Sequence, residues 1–172
     1  MPTRVERAIR LSADDLSGLQ VCVVACHYAP ETSGSAPYNT FLVDSLRDAG
    51  AAIDVICGVP HYPQWKVQDP KYRRGVWWKE TDTGVSMTRV RHAVPATADT
   101  VGRLRLESSF LALAAPLVAR SRADVVIGVT PLLGAAVAAR IGSRGRPFGV
   151  VVHDLMSNAA AQSGAGGAVA RA

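Results

Sequence analysis

Short, continuously apolar runs constrain this chain more than any other feature of it. They occupy residues 21–26 (VCVVAC), 124–129 (DVVIGV) and 148–152 (FGVVV), with a weaker one at 52–57 (AIDVIC). A run so short and so apolar fits a strand buried on both faces, as in a parallel sheet. Helical periodicity fills the gaps. Tyr38, Phe41/Leu42, Ser45/Leu46 and Ala49 recur at helical spacing, with Gly50 placed as a C-cap. Residues 103–123 carry a broad stripe from Leu104 through Leu106, Phe110 and Ala114 to Val118, with Pro116 as a potential kink. Residues 132–143 form a third, alanine-rich helix, and residues 76–80 and 85–91 read as a hairpin or meander around Thr81–Gly84. The resulting order, β-α-β-loop-β-β-α-β-α-β, predicts an α/β fold with a doubly wound parallel sheet, Rossmann-like in plan.

A chain of 172 residues suits one domain. Its net charge of +5 favours anionic partners. Cys22, Cys26 and Cys57 are odd in number and all lie in apolar runs, which argues for buried reduced thiols and a reducing, cytoplasmic compartment. Residues 1–18 contain arginines and no apolar signal core, and read as an N-terminal extension. The longest apolar stretch, residues 110–119, contains Pro116 and falls well short of the roughly 20 residues a membrane span needs.

Ligands of doubly wound sheets bind beyond the carboxyl ends of the strands. That rule selects residues 27–35, 58–63, Thr130-Pro131 and His153-Asp154. Gly34 and Ser35 lie just before the first helix, where a small turn and free N–H groups favour a phosphate; a plain tight turn is the alternative. His153 and Asp154 can hydrogen-bond sugar hydroxyls or exchange protons, or form a solvated strand end. His27 and His61 follow their own strands in the same way. The spacing of the histidines offers no metal motif, and neither a nucleophile elbow nor a P-loop is present. Residues 64–79 interleave Trp65, Tyr72, Trp77 and Trp78 with Lys66, Lys71, Arg73, Arg74 and Lys79. That mixture suits a membrane interface, a sugar-stacking face or single-stranded nucleic acid. Its alternative is a partly buried aromatic set with a solvated cationic rim.

Four segments in order carry a resemblance: HYAPETSGSAPYNTFLVDSLRDAG, PHYPQWKVQDPKYRRG, ADVVIGVTPLLGAAVAAR and VVHDLMSNAAAQSG. Together they resemble the N-terminal, acceptor-side domain of family 4 retaining glycosyltransferases of the GT-B class, of the exopolysaccharide, colanic-acid type. The resemblance covers residues 19–164 as one domain and leaves residues 165–172 as a short tail. It implies a hexosyltransferase that moves a sugar from a nucleotide-sugar donor to a polysaccharide or lipid-linked acceptor, without a metal or other cofactor. It places Glu31, Gly34 and Ser35 at the donor diphosphate, His153 with Asp154 at the donor sugar, and His27, His61, Tyr62 and Trp65 on the acceptor side. Where many members have Gly-Gly, this chain has Gly34-Ser35. A GT-B enzyme closes its site with a second, nucleotide-binding domain, so this chain is expected to be incomplete and inactive alone. The basic loop with Lys66, Lys71, Arg73 and Arg74 is expected at the acceptor or at the inner face of the membrane as a peripheral contact, with nucleic acid the weaker partner. A non-catalytic glycan-, membrane- or partner-binding module, or a nucleotide-binding domain, stays open beside it.

Overall fold

The computed structural model describes residues 15–96 and 99–153. Six strands form one sheet in the order β3-β4-β2-β1-β5-β6: β1 Gln20–Ala25, β2 Ala52–Gly58, β3 Trp77–Asp82, β4 Val85–Val90, β5 Val125–Val129 and β6 Phe148–Val151. All neighbours pair in parallel except β3, which lies antiparallel on β4. The helices are α1 Ala36–Asp48, α2 Thr100–Arg120 and α3 Leu133–Ser143. The mixed α/β fold with a mainly parallel sheet is therefore the one the apolar runs predict. The strand order reverses at β1, whose neighbours are β2 and β5. A reversal of that kind opens a crevice between the loops leaving the two strands.

Successive side chains of β1 go to opposite faces. Val21, Val23 and Ala25 join Ile53, Val55 and Cys57 beneath α1. Cys22, Val24 and Cys26 join Ile56 and Val126 beneath α2 and α3. All three cysteines are free and buried. α2 buries Gly102, Leu106, Phe110, Ala114 and Val118, one residue per turn, and runs on through Pro116. Its partner α3 presents Gly134, Ala135, Ala138, Ala139 and Gly142, small enough to lie close against both α2 and the sheet. A Cβ on Gly128 of β5 would come within 2.8 Å of the Ala136 backbone. Side-chain volume there would push α3 off the sheet.

Two expectations shift. α1 does not bury Tyr38 and Phe41, which are 65% and 73% exposed. Its inward stripe is Ala36, Asn39 and Val43, one residue further round the helix. In α2, Leu104 likewise faces out, and the helix begins three residues earlier than its apolar stripe suggested, because the Asp99 carboxylate accepts from Gly102 N–H as an N-cap. The hairpin between β3 and β4 turns on Thr83 and Gly84 alone, both at positive φ. Gly50 closes α1 by donating to the Arg47 carbonyl, while Ala51 donates to Leu46.

Candidate functional site

The loops leaving β1, β2, β4 and β5 converge on one crevice of about 270 Å³. Its walls include His27, Gly34, Ser35, Tyr62, Trp65 and Arg103. Gly34 sits at φ +64° with the Tyr62 ring where a Cβ would point, 3.1 Å away. A side chain there would both strain the backbone and dislodge the ring. The first turn of α1 lacks a side-chain cap at Ser35 and contains no acid. Its N–H groups are thus left to solvent or to a ligand at the crevice.

Glu31 is 8% exposed and ties together the loops behind the crevice. One carboxylate oxygen accepts from His61 N–H at 2.7 Å and Tyr62 N–H at 2.8 Å; the other accepts from His27 Nδ1 at 2.8 Å. Burial alone would raise its pKa. The hydrogen bonds from His27 and the two backbone groups outweigh that and hold it below the usual carboxylate range. The charge is therefore spent inward, on fastening the β2 loop to the β1 loop. His61 stacks on His27 with ring centroids 5.1 Å apart, and meets His92 edge-on at 4.6 Å. Its Nδ1 donates to the Val59 carbonyl at 3.1 Å. Burial pushes the His61 pKa down to about 4, so the ring stays neutral beside Glu31. Its Nε2 lone pair is buried with no partner among the described residues. Burial also lowers the pKa of His92.

Donor atoms of His27, Glu31 and His61 all lie within 4.8 Å of one another, a grouping that could hold a metal ion. Sequence spacing gave no hint of it, because His61 lies 30 residues beyond Glu31 and only the fold brings it to the His27–Glu31 pair. Glu31 already holds three N–H groups, His27 Nδ1 donates to Glu31, and the His61 Nδ1 proton goes to Val59, while His61 Nε2 is without a partner among the described residues. The cluster as it stands is a hydrogen-bonded lock.

His153 lies two residues beyond β6, on the far side of the switch point. Its backbone N–H donates to Thr130 Oγ1, and its ring meets Tyr38 at 5.7 Å. Its Nε2 lies 2.9 Å from Oδ1 of Asn39, a residue 1% exposed. The Asn39 amide already donates to the His27 carbonyl at 2.7 Å, so its oxygen must accept from His153 Nε2–H. A neutral His153 then carries its lone pair on Nδ1. Asn39 thus links the β6 end to the β1 loop, and periodicity could not reveal it, since a polar residue on an inward stripe reads as an interruption. Asp154 lies outside the described residues.

Of the remaining expected residues, Lys66 and Lys71 line a second, more polar cavity of about 560 Å³ with Glu31, His61 and Tyr62. Lys71 pairs there with Glu80 at 3.1 Å, which also accepts from Tyr72 and from buried Arg89. Arg73 and Arg74 are exposed beyond it. Trp65 packs against the core with φ +51°, edge-on to His61 and Tyr62. Sequence reasoning missed Asn39, His92 and Arg103.

A mainly parallel sheet flanked by helices, with a crevice at its switch point, defines a Rossmann-like α/β domain. Residues 33–172 match the family described as glycosyl transferase 4-like domain, and the chain belongs to that family. It is 30% identical over 139 residues to an Escherichia coli (strain K12) protein named as a colanic acid biosynthesis glycosyl transferase, WcaI. That alignment covers 78% of this chain and 33% of the relative, so the chain spans about one third of the relative's length. No solved structure gives a significant match.

Proposed function

We propose that this chain is the acceptor-side half of a glycosyltransferase that moves a hexosyl unit from a nucleotide sugar to a polysaccharide or lipid-linked acceptor, with retention at the anomeric carbon. The observation that carries the reading is the convergence of four strand-end loops on one crevice in a glycosyl transfer family member. The first turn of α1 at Gly34 and Ser35 would receive the charge that grows on the leaving diphosphate, since its N–H groups lack a side-chain cap. His153, held through Nε2 by Asn39, would present Nδ1 to a donor-sugar hydroxyl. Tyr62, Trp65 and His27 would form the acceptor wall, with His61 behind them. No metal takes part in this scheme. A second domain would bind the donor nucleotide, and these 172 residues by themselves are expected not to turn over. The reaction is placed in the cytoplasm, where nucleotide sugars are made.

The test joins this chain to the part of the colanic acid relative that the alignment leaves uncovered and assays a panel of nucleotide sugars with a lipid-linked acceptor. Transfer by the joined protein and none by the chain alone is the expected result. His153→Ala in the joined protein should lower kcat about tenfold, a loss of about 1.4 kcal/mol in the transition state. Absence of transfer with every donor would refute the reading.

A further inference from the structure

Two exposed apolar and cationic patches stand at the end of the sheet that carries the crevice. The first is the opening of α2. Val101 and Leu104 are 59% and 66% exposed there, beside exposed Arg103 and Arg105. This end of α2 belongs to the crevice: Arg103 and Leu106 line it, and Ser109 Oγ accepts from Ala93 N–H in the loop after β4. The second patch is the approach to β3, where Val76 and Trp77 are exposed next to Arg73 and Arg74. Trp77 pairs with Val90, the last residue of β4, which sets it at the same end.

The second patch is built to hold its shape. Arg91 donates to the carbonyls of Arg73 and Gly75, and its N–H to that of Val76. Trp78 turns inward and meets Tyr72 edge-on at 5.1 Å. Trp77 is therefore displayed by a fixed support. Arg73, Arg74, Arg103 and Arg105 make no ion pair among the described residues. Asp99 and Glu107 are the nearby acids on α2's own stretch, and both are engaged: Asp99 caps the helix and Glu107 accepts from Gly134 N–H.

We propose that these two patches form a docking face for an anionic lipid surface at the rim of the crevice. Charge complementarity chooses the occupant: four arginines without an ion pair among the described residues flank the apolar side chains, and the whole chain carries +5. Indole and aliphatic groups enter the headgroup layer while the guanidinium groups meet lipid phosphates. The assignment replaces the basic loop read from sequence. Lys66 faces the polar cavity and Lys71 is paired with Glu80, so neither belongs to the face. The face rests on exposure and charge, not on catalysis; the proposed transfer to a lipid-linked acceptor only gives it a purpose. A competing surface lies on α3, where Leu133, Val137 and Ile141 are exposed beside Arg140 and Arg144. It packs along β5 and β6 and has no part in the crevice.

Co-sedimentation of the purified full chain with vesicles decides the matter. Vesicles of phosphatidylcholine alone are compared with vesicles containing phosphatidylglycerol, at low and high salt, with circular dichroism as the check on folding. The chain should bind the anionic vesicles only, in a salt-sensitive manner, with Trp emission shifting to the blue. Each arginine removed should weaken binding about fivefold. Leu104→Ala with Arg105→Ala, and separately Trp77→Ala with Arg74→Ala, should each lose more than that, while Arg140→Ala with Arg144→Ala should bind as the parent does. Equal binding to both vesicle types, binding to neither, or an equal loss in the Arg140/Arg144 pair would overturn the proposal. So would tighter retention on single-stranded RNA than on anionic vesicles in the same buffer. None of these readouts depends on sugar transfer, so the docking face and the proposed function fail separately.

Discussion

Glu31 and Arg146 do opposite versions of the same job at opposite ends of the sheet. At the carboxyl end, Glu31 gathers N–H groups from the β2 loop and from His27. At the amino end, the Arg146 guanidinium gathers carbonyls: Val118, Ser121 and Ala123 around the end of α2, and Gly142 and Ser143 at the end of α3. A cation suits helix carboxyl termini, where unsatisfied carbonyls accumulate. The difference lies in surroundings. Arg146 is half-buried and needs no countercharge, because helix ends supply one. Glu31 is buried and keeps its charge only through the partners it organises. The first can be lost to water at moderate cost, while loss of the second leaves two backbone N–H groups and His27 without their acceptor. The comparison teaches that the crevice wall is the more finely balanced end of the molecule.

Removing each hub should break the symmetry. Glu31→Ala strips two buried N–H groups and His27 of their acceptor, and should cost about 3–5 kcal/mol by chemical denaturation. Acid should attack the same end. The unfolded chain takes up protons at His61 below its ordinary value of 6.5, whereas the folded ring refuses them until about pH 4. The unfolded state therefore binds more protons in this window, and stability falls as pH drops through it, by about 1.4 kcal/mol per unit. His92, also lowered, adds to the slope. Glu31 takes over below its ordinary value of 4.5, since its depressed folded pKa gives stability that is lost as pH falls further. His61→Gln should flatten the upper part of the acid limb in a pH series of melts, and Arg146→Ala should leave the shape of that limb unchanged. If Arg146→Ala steepened it, the two hubs would not be independent.

Arg146→Ala itself should cost about 2–3 kcal/mol, less than Glu31→Ala, because its carbonyls can recruit water. Asn39→Ala, which unties His153 from the His27 carbonyl, should cost about 1–2 kcal/mol. His153→Ala sits at an exposed strand end and should move stability by no more than about 0.5 kcal/mol. That last value sharpens the functional reading, since a folded variant with impaired transfer isolates the role of the ring.

The apolar runs made the sheet legible because burial on both faces leaves no room for polar residues. β1 and β5 fall within a residue of their sequence limits for that reason. The hairpin of β3 and β4 was legible through Thr83-Gly84, although not its place at the sheet edge. Helix faces were less legible. Tyr38 and Leu104 are large and apolar at plausible spacing, yet the inward positions of their turns are held by smaller residues, Ala36 and Gly102. Strand-end position put His27, His61 and His153 in the stretches beyond β1, β2 and β6, and of the three only His27 lines the crevice among the described residues. It could not say that Glu31 faces inward, nor that Asn39 bridges two loops. Both depend on contacts between segments 30 to 114 residues apart, and one chain read linearly holds no record of such pairs.

The three cysteines give the fold a built-in set of chemical clocks. Burial pushes the thiols of Cys22 and Cys57 up to about 12 and that of Cys26 well above its ordinary value. Alkylation requires the thiolate, so none of them reacts until its surroundings open. Cys22 and Cys26 report on the face covered by α2 and α3, and Cys57 on the face beneath α1. A short pulse of iodoacetamide under native conditions, read peptide by peptide in a mass spectrometer, therefore times the opening of each face separately. With one helix over its face against two over the other, Cys57 should take up label first.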